Sequence, residues 1–329
     1  MQIKLILVTG GAGFIGSHLV KRLVREPGTS VHVLDDFSTG RRANLPDGEL
    51  TSVSNSLTVE RGRVEDIDVH VSKNGTIDEI YHLACPASPV HYQRSPVATL
   101  HTAIGGTANV LKLAREHHAR VVIASTSEVY GSPGVHPQPE SYWGHANPIG
   151  PRSCYDEGKR AAEAFAVAYR KQYGLDVRIA RIFNTYGPQM QPDDGRVISN
   201  FIVQALRGEP LTVYGDGSQT RSCCYVADLV DGLVRLMAAD PSEDVATPVN
   251  LGNPEERTVR EIAQAVMDLV NGCTADRIVH KPLPQDDPPR RRPDIERARK
   301  LLGWTPKISL EEGLAATVSY FAKRLEKAA

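Results

Sequence analysis

The stretch that decides the fold is Thr9-Gly10-Gly11-Ala12-Gly13-Phe14-Ile15-Gly16, which follows a short apolar run and opens a helix-like segment. Its glycines permit a tight turn, close approach of the backbone to a pyrophosphate, and close packing of a helix on a strand. The first amides of the helix and its partial positive charge favour a bound phosphate. Asp35 ends the next apolar run, where a carboxylate accepts hydrogen bonds from an adenosine ribose. Together these features predict a dinucleotide site rather than a plain loop.

The two adjacent acids Asp35 and Asp36 favour NAD over NADP as the cofactor. A 2′-phosphate on the ribose would face both carboxylates, and no arginine immediately follows to receive it. Arg41 and Arg42 come later and are interpreted as solvated residues or as part of the substrate entrance. The sequence therefore predicts NAD.

Short β-branched runs alternate with helix-like segments through the first half of the chain. Strands are predicted at Lys4–Val8, Val31–Leu34, Glu79–Leu83, Arg120–Ala124 and Val177–Ile182, and helices at about 15–27, 97–118 and 154–173. Buried strands that alternate with helices indicate βαβ units. The predicted fold class is therefore α/β, a doubly wound parallel sheet of the Rossmann type.

Beyond about residue 184, prolines and glycines separate shorter elements. Helices are predicted at 196–207, 225–239, 258–270 and 308–326, and the proline-rich segment 282–293 is predicted to be a loop. We expect an NAD-binding domain over residues 1–183 and a smaller substrate-binding lobe over 184–329, packed over the carboxyl ends of the strands. A strand near 249–252 is predicted to rejoin the first domain.

The composition is that of an ordinary globular protein. The 329 residues carry a formal net charge of −1, which disfavours nucleic acid or an anionic membrane as the main partner. The five cysteines are scattered without metal-ligand spacing, so no metal site is predicted and reduced thiols in the cytoplasm are the expectation. The apolar run at 1–8 is too short to span a bilayer and lacks a signal-peptide cleavage region.

Tyr155 and Lys159 stand four residues apart at the start of a predicted helix, which places both side chains on one face. A free tyrosine has a pKa of about 10, and an adjacent ammonium favours the phenolate and lowers that pKa. Such a pair can take a proton from a sugar hydroxyl while hydride leaves the same carbon. The alternative is two surface residues of an amphipathic helix, because so short a motif also matches by chance.

Polar residues follow the predicted strand at Arg120–Ala124, in the order Ser125-Thr126-Ser127-Glu128-Val129-Tyr130-Gly131. Ligands of open α/β sheets bind beyond the carboxyl ends of the strands, so these side chains are expected to face the crevice. Thr126 can hydrogen-bond a substrate hydroxyl or the Tyr155 oxygen, whereas Ser125 is interpreted as a polar residue that caps the next element. A buried carboxylate at Glu128 near a nicotinamide needs a partner or a function.

One enzyme superfamily combines such a glycine motif with residues of the types found at Thr126, Tyr155 and Lys159. Longer matching stretches are His82–Pro89, Thr126–Gly131, Tyr142–Arg152, Tyr155–Arg160, Arg181–Pro188 and Arg291–Asp294. Together they resemble the extended short-chain dehydrogenases/reductases and, within them, the UDP-glucuronate decarboxylase (UDP-xylose synthase) family. The resemblance covers nearly the whole chain.

The resemblance implies a reaction cycle without net oxidation or reduction. Tyr155 deprotonates the C4 hydroxyl of UDP-glucuronate while hydride passes to NAD, assisted by Lys159 and Thr126. Because the resulting 4-keto group lies β to the C6 carboxylate, carbon dioxide can leave with its electrons delocalised into an enolate, and NADH then reduces C4 to give UDP-xylose. Glu128 and Arg291 are the candidates to orient the carboxylate and manage the proton at C5, since the fork of an arginine matches two oxygens. A solvated basic run is the alternative for Arg291.

The resemblance also implies the residues that line each site. The predicted cofactor contacts are Gly10, Gly13, Phe14, Ile15, Gly16, Asp35, Asp36, Ser38, Thr39, Gly40, Val64, Leu83, Thr102, Ala124, Tyr155, Lys159 and Thr185. The predicted sugar-nucleotide contacts are Ser127, Asn184, Arg196, Asn200, Tyr214, Arg221 and Arg291. Arg221 is a suitable partner for the diphosphate.

Further matches concern a neighbouring subunit. Asn109, Lys112, Tyr169 and Gln172 occupy helix positions where the family lets substrate or a second subunit approach. The helices at 97–118 and 154–173 are where related enzymes pair. A homodimer through these two helices is therefore expected.

Four positions depart from the family pattern. Asp36 stands where Asn is usual, Cys85 where Ser is usual, His101 where Lys is usual, and Arg63 where an acid normally meets the adenine. Asp36 and Arg63 bear on the adenine and ribose contacts, whereas His101 weakens one expected substrate contact.

Three other functions remain open from the sequence. A nucleotide-sugar 4,6-dehydratase would share the NAD site and the Tyr155–Lys159 pair, but it would need an aspartate as general acid where this chain has Ser127. A 4-epimerase would share the first step, but Glu128 and Arg291 would then lack a task. A protein that only binds NAD or a sugar nucleotide is disfavoured by the intact catalytic residues.

Overall fold

The computed structural model describes residues 3–46, 55–71, 75–242, 244, 247–270, 278–283 and 290–326. Residues 284–289 of the predicted loop and Cys273 lie outside the described residues. No helix in these described ranges has the length and apolar composition that a membrane span requires.

The regular elements of the described chain are as follows. The strands are β1 (Lys4–Thr9), β2 (Thr29–Asp35), β3 (Ser56–Arg61), β4 (Glu79–His82), β5 (Arg120–Thr126), β6 (Val177–Ile182), β7 (Thr185–Tyr186), β8 (Leu211–Tyr214), β9 (Thr220–Ser222), β10 (Cys224–Tyr225), β11 (Val249–Leu251), β12 (Glu256–Thr258) and β13 (Ile278–Lys281). The α-helices are α1 (Phe14–Leu23), α2 (Ile67–Val71), α3 (Pro89–Arg94), α4 (Pro96–Leu100), α5 (Thr107–His117), α6 (Ser153–Tyr173), α7 (Val197–Leu206), α8 (Val226–Ala238), α9 (Val259–Leu269), α10 (Glu296–Leu302) and α11 (Leu310–Glu326).

A parallel sheet of seven described strands forms the centre of the molecule, in the order β11-β6-β5-β4-β1-β2-β3. The chain order reverses between β1 and β4, and such a reversal opens a crevice beyond the carboxyl ends of the strands. Helices cover both faces of the sheet. The predicted fold class, a doubly wound parallel sheet, is confirmed.

Alternate residues of each strand pack on opposite faces of the sheet. Ile6 and Val8 belong to the core that includes α1 and α8, whereas Leu7 belongs to the core that includes α5. This two-residue alternation is the side-chain period of a strand. Because both faces are buried, the strand reads as a continuous apolar run, which is why it was predictable.

Several local features differ from the sequence prediction. The strand β3 was not predicted, because this edge strand is only half-buried and lacks a continuous apolar run. Helix α1 ends at Leu23 instead of residue 27, since Pro27 disfavours helical backbone at the residue before it. The helix predicted at 97–118 consists of α4, a π-helical turn at His101–Gly106, and α5.

The second half of the chain contributes to two cores. Helices α7, α9 and α11 form a separate core together with β8. By contrast, α8 packs on the central sheet, and β11 pairs with β6 at its edge. The division into domains at about residue 184 remains a proposal.

Candidate active site

A large cavity opens beyond the carboxyl ends of the strands. Its volume is about 1270 Å³, which exceeds the roughly 300–1000 Å³ of a typical site for one small ligand. The glycine-rich loop, the ends of β4 and β5, and residues of α7 and β8 all line it. The cavity therefore has room for a dinucleotide together with a second ligand.

The glycine-rich loop between β1 and α1 has the geometry of a pyrophosphate cradle. Gly10 has a φ of 73°, and a Cβ at this residue would lie 2.7 Å from the amide nitrogen of Ala84. A Cβ at Gly16 would lie 2.2 Å from the carbonyl oxygen of Gly10. Both positions therefore require glycine. The start of α1 borders the cavity, as phosphate binding at a helix N-terminus requires.

Asp35, at the end of β2, is a buried carboxylate on the same cavity. Its Oδ2 accepts a hydrogen bond from the Ala12 amide at 2.8 Å, and its Oδ1 accepts one from the Phe37 amide at 2.9 Å. Burial raises the pKa of Asp35, while these hydrogen bonds act in the opposite direction. A fixed acceptor beside a phosphate cradle is what a dinucleotide ribose needs, so the residues present fit NAD.

The other predicted cofactor residues gather around the same cavity. Those that line it are Gly10, Gly13, Phe14, Ile15, Gly16, Asp35, Asp36, Ser38, Thr39, Val64, Leu83, Thr102, Ala124, Tyr155, Lys159 and Thr185. Gly40 is not among the lining residues, so its contact with the cofactor stays a prediction. A Cβ at Gly40 would lie 2.9 Å from Asp35 Oδ1, so glycine is needed there for packing behind that carboxylate.

We expect the Gly16→Ala variant to bind NADH about 10- to 100-fold more weakly, the cost of losing charge-assisted hydrogen bonds to a pyrophosphate. The reason is that the new methyl group would collide with the Gly10 carbonyl and displace the cradle. Titration of NADH fluorescence measures this affinity. The control is Gly134→Ala, whose Cβ would meet only the Tyr142 hydroxyl, at 3.8 Å. Equal affinity in both variants would contradict the cradle.

Tyr155 and Lys159 lie on the cavity side of α6, near the end of β5. Lys159 Nζ donates a hydrogen bond to the Ala124 carbonyl at 2.7 Å, and the Tyr155 hydroxyl is hydrogen-bonded to Thr126. The Tyr155 ring stacks on the ring of Tyr92, with centroids 5.0 Å apart and planes 3° apart. Because Tyr155 and Lys159 are both buried, the alternative of two surface residues is wrong.

The pKa of Tyr155 is shifted in the direction opposite to the prediction. Burial raises the pKa of this hydroxyl, the neighbouring Cys85 raises it further, and the hydrogen bond with Thr126 lowers it only in part. Lys159 directs its ammonium at the Ala124 carbonyl. The loss of water around the buried phenol therefore outweighs the effect expected of the ammonium.

Glu128, which follows β5, forms ion pairs with two arginines, one at each oxygen of its carboxylate. Arg291 Nη1 pairs with Oε1, and Arg152 Nη2 lies 2.6 Å from Oε2. Burial acts to raise the pKa of Glu128, but the charges of Arg291 and Arg152 outweigh it and lower that pKa. We call these three residues the arginine–glutamate cluster. The solvated-run alternative is wrong for Arg291, whose side chain is 4% exposed.

The predicted sugar-nucleotide contacts converge on the same cavity. Its lining includes Ser127, Asn184, Arg196, Asn200, Tyr214, Arg221 and Arg291. Arg196 Nη2 donates to Asp194 Oδ1 at 3.0 Å, and its guanidinium lies 5.9 Å from the centre of the Phe14 ring. Arg221 Nη1 donates to the Thr220 carbonyl at 2.8 Å. The second half of the chain thus places three arginines on this cavity, Arg196, Arg221 and Arg291.

Four residues predicted to approach substrate or a neighbouring subunit lie away from the cavity lining: Asn109, Lys112, Tyr169 and Gln172. Asn109 Nδ2 donates to the Glu65 carbonyl at 2.6 Å, and Lys112 pairs with Asp68 at 2.7 Å. These contacts hold α5 against the segment at 65–68. His101 also lies outside the lining, in the π-helical turn.

Arg63, which departs from the family pattern, lines the cavity as part of an ion pair. Its Nη2 lies 3.0 Å from Glu65 Oε1, and Thr102 Oγ1 donates to the same oxygen at 2.8 Å. The charge of Arg63 is therefore balanced by an acid two residues later in the chain. Thr102, a predicted cofactor contact, belongs to the same polar group.

Comparison of the sequence with known proteins identifies the family. Residues 7–317 match the family described as GDP-mannose 4,6 dehydratase. UDP-glucuronic acid decarboxylase 1 of Danio rerio is 54% identical, with 98% of this chain and 74% of the relative covered. UDP-glucuronic acid decarboxylase 5 of Arabidopsis thaliana is 51% identical, with 97% of this chain and 90% of the relative covered.

The chain belongs to the UDP-glucuronic acid decarboxylase family.

Solved structures of other sugar-nucleotide enzymes share the fold of this family member. A dTDP-glucose 4,6-dehydratase from Streptomyces venezuelae with NAD and TYD bound superposes with a TM-score of 0.87 at 30% identity, covering 98% of each chain. A UDP-glucose 4-epimerase from Thermotoga maritima with UDP-glucose has a TM-score of 0.87 at 31% identity, covering 98% of this chain and 99% of the epimerase. The family predicted from the sequence is confirmed.

Sequence reasoning missed three residues that the fold adds to this decarboxylase-family site. Arg152, Tyr92 and Glu65 all line the cavity. The signal for Arg152 was its place at the end of a matching stretch, directly before the helix that carries Tyr155. Tyr92 and Glu65 gave no such signal, because their contacts with Tyr155 and Arg63 come from packing and from a local ion pair.

Asp156 is a buried carboxyl beside the arginine–glutamate cluster of this family member. Its Oδ1 is buried without a hydrogen-bond partner among the described residues. Burial and the charge of Glu128 raise the pKa of Asp156 to about 7, although Arg152 and Arg291 act to lower it. The folded protein therefore keeps a proton here at pH values where the unfolded chain has lost it.

That proton makes stability depend on pH. A carboxyl whose pKa is raised in the folded state stabilises the fold at low pH, and this contribution is lost as pH rises from about 4 to about 7. We expect Asp156→Asn to unfold at a higher temperature than the unsubstituted protein at pH 8, with the difference shrinking towards pH 5. Calorimetry at both values checks this, with the more exposed neighbour Glu157→Gln as the control. A difference that does not change with pH would contradict the raised pKa.

Proposed function

We propose that this protein converts UDP-glucuronate into UDP-xylose and carbon dioxide, with NAD as cofactor and no net redox change. The observation that carries the proposal is the arginine–glutamate cluster, which shares one cavity with Tyr155 and Lys159. A 4,6-dehydratase eliminates a hydroxyl at C6 and so needs a sugar without a carboxylate there, and a 4-epimerase has no step that requires a carboxylate. The names of the relatives support the same reading.

The residues that would hold NAD are those of the glycine-rich cradle, with Asp35 at the ribose. NAD bound there supplies a reversible acceptor for the hydride at C4. In this proposal Tyr155 removes the proton of the C4 hydroxyl and later returns it. In this scheme Thr126 orients the Tyr155 oxygen through their hydrogen bond. The positive charge of Lys159, whose ammonium is held at the Ala124 carbonyl, would favour the phenolate and so oppose the effect of burial.

Oxidation at C4 weakens the bond to the carboxyl carbon. The ketone lies β to the carboxylate, so the C5–C6 bond breaks with its electron pair delocalised into an enolate, and carbon dioxide leaves. Arg291 is buried on the cavity, and in this proposal it orients the carboxylate. Because its pKa is lowered, Glu128 is ionised at neutral pH. In this scheme Glu128 holds the guanidiniums, and the enolate takes up its proton at C5 from solvent. Return of the hydride to C4 and of the proton to the C4 oxygen then gives UDP-xylose with no net redox change.

Carboxyl-labelled UDP-glucuronate tests the proposal. The purified protein with NAD should release labelled carbon dioxide and form one UDP-pentose. NADH should not accumulate, because the cycle has no net redox change. Release of a 6-deoxy-4-keto sugar nucleotide from UDP-glucose would instead favour the dehydratase. Full retention of label, with no new nucleotide sugar, would remove the decarboxylase proposal.

We also propose that the protein is a homodimer through the helices predicted at 97–118 and 154–173, and that it is cytoplasmic. The support for pairing is that Val97 and Val167, one from each predicted helix, are exposed apolar residues. The support for a reducing compartment is that Cys85, Cys154, Cys223 and Cys224 are free thiols. Analytical ultracentrifugation would contradict the dimer if the protein sediments as a monomer at micromolar concentration.

A further inference from the structure

The segment that follows β3 borders the cavity beyond Asp35, the residue assigned to the ribose. The lining there includes Arg61, Gly62, Arg63 and Glu65. The Gly62 amide donates a hydrogen bond to the Asp35 carbonyl at 3.1 Å, which ties this segment to the ribose end of the cavity. In the sheet, β3 is the neighbour of β2 on the side away from β1. We therefore expect a dinucleotide whose pyrophosphate lies at β1 and whose ribose lies at β2 to extend its adenine to the end of β3.

The guanidinium of Arg63 is held at this end of the cavity by Glu65. Arg63 Nη2 lies 3.0 Å from Glu65 Oε1, which also accepts a hydrogen bond from Thr102 Oγ1 at 2.8 Å. The Glu65 carbonyl accepts a further hydrogen bond from Asn109 Nδ2 at 2.6 Å. The carboxylate that holds the guanidinium is thus itself fixed, by the π-helical turn at its side chain and by α5 at its backbone.

The same guanidinium lies within electrostatic reach of the ribose end of the cavity. The hydrogen bond and the charge of Glu65 raise the pKa of Arg63, and the charge of Asp36 raises it further. Asp36 follows Asp35 in the chain and lines the same cavity. Arg63 is therefore close to the acids that surround the adenosine ribose in the proposed complex.

An ion pair of this kind uses the edge of the guanidinium, because the N–H donors of arginine lie in the plane of the group. The flat faces remain suited to stacking against an aromatic ring, and the delocalised charge favours such contacts. The Arg63 side chain is 55% exposed although its end is held by Glu65. Ordering it against a ligand therefore costs less conformational entropy than ordering a mobile arginine would. Adenine is a flat aromatic ring of the kind that stacks on arginine.

We propose that Arg63 is a cofactor-binding residue whose guanidinium stacks on the adenine of NAD, with Glu65 as the positioning residue that holds the guanidinium. The inference rests on the cofactor of the proposed function and deepens it. An arginine has no acceptor for the amino group of adenine, so its face is the part that can recognise the ring as a whole. This contact acts on the adenosine half of the cofactor and leaves the nicotinamide half, near Tyr155, unaffected.

The test compares the dissociation constants of two fluorescent ligands, NADH and reduced nicotinamide mononucleotide, which lacks the adenosine. Both carry a similar negative charge at pH 8, so the ratio of the two constants isolates the contribution of the adenosine half. We expect Arg63→Gln to weaken NADH binding about 3- to 30-fold, the range of a cation–π contact, and to leave binding of the mononucleotide unchanged. Arg63→Lys keeps the charge and the donors but not the plane, so its NADH affinity should lie closer to that of Arg63→Gln than to that of the unsubstituted protein.

Arg94→Gln is the matched control, because Arg94 is an exposed arginine of α3 that lines the same cavity away from β3. It removes the same charge and should leave the ratio of the two constants unchanged. Equal weakening of both ligands in Arg63→Gln would point to lost charge or to a disturbed pocket and overturn the inference, as would an unchanged NADH affinity in Arg63→Lys. If the unsubstituted protein binds no NADH, the cofactor of the proposed function is removed and the inference with it. NADH binding with an unchanged ratio in Arg63→Gln overturns the inference alone.

Discussion

The Tyr155→Phe variant is expected to lose about 100- to 10,000-fold of the turnover rate, the range that a positioned acid–base group contributes. The substitution removes the oxygen that Thr126 orients but keeps the ring that stacks on Tyr92 at 5.0 Å. The fold and the binding of UDP-glucuronate should therefore survive. The initial rate of UDP-pentose formation, measured by chromatography, checks the first point, and calorimetric titration of the substrate checks the second.

Tyr173→Phe is the control for this experiment. Tyr173 is at the far end of the same helix and is 44% exposed, so the loss of its hydroxyl should leave the rate unchanged. A Tyr155→Phe variant that keeps full activity would show that another group removes the C4 proton. A variant that loses activity and substrate binding together would assign Tyr155 to binding, not to proton transfer.

The Arg291→Gln variant is expected to lose turnover on the order of 100-fold, from the loss of a charge-assisted hydrogen bond to the carboxylate. The change also removes a largely buried ion-pair partner of Glu128, which keeps its ion pair with Arg152. The melting temperature should therefore fall as well. NADH affinity should not change, because the cradle at Gly10 and Gly16 belongs to another part of the cavity.

Arg290→Gln separates the role of position 291 from the general basic character of this segment. Arg290 is exposed and adjacent, so its replacement should alter neither rate nor melting temperature. Rates of carbon dioxide release and NADH titrations on both variants complete the comparison. An Arg291→Gln variant with an unaffected rate would show that the ion pair with Glu128 is not needed for catalysis.

Local patterns made much of the fold and part of the site predictable. The turn at Gly10–Gly16 and the carboxylate at Asp35 depend on contacts within one βαβ unit, so the order of residues carries the information. Tyr155 and Lys159 share a helix face because residues four apart are neighbours on the surface of a helix. Apart from the edge strand β3, the strands of the central sheet were predicted, because burial on both faces makes them continuous apolar runs.

The features that the sequence did not reveal depend on contacts between distant segments. The ion pair of Arg152 with Glu128 joins two elements, and no spacing rule links residues that far apart in the chain. The pKa of Tyr155 depends on burial by several elements, which a short motif cannot report. The edge strand β3 is only half-buried, so its sequence has the mixed character of many loops.

The pairing of β11 with β6 has a consequence for how the chain folds. A fragment that ended at residue 183 would leave β6 as an open edge and would uncover the apolar surface of the sheet on which α8 packs. Exposed strand edges and apolar faces of this kind promote aggregation. The edge of β6 pairs with a strand formed by residues 249–251. The sheet can therefore be completed only after most of the chain has been synthesised. The glycine cradle near the amino terminus thus belongs to a folding unit whose last strand, β11, is synthesised long after the first.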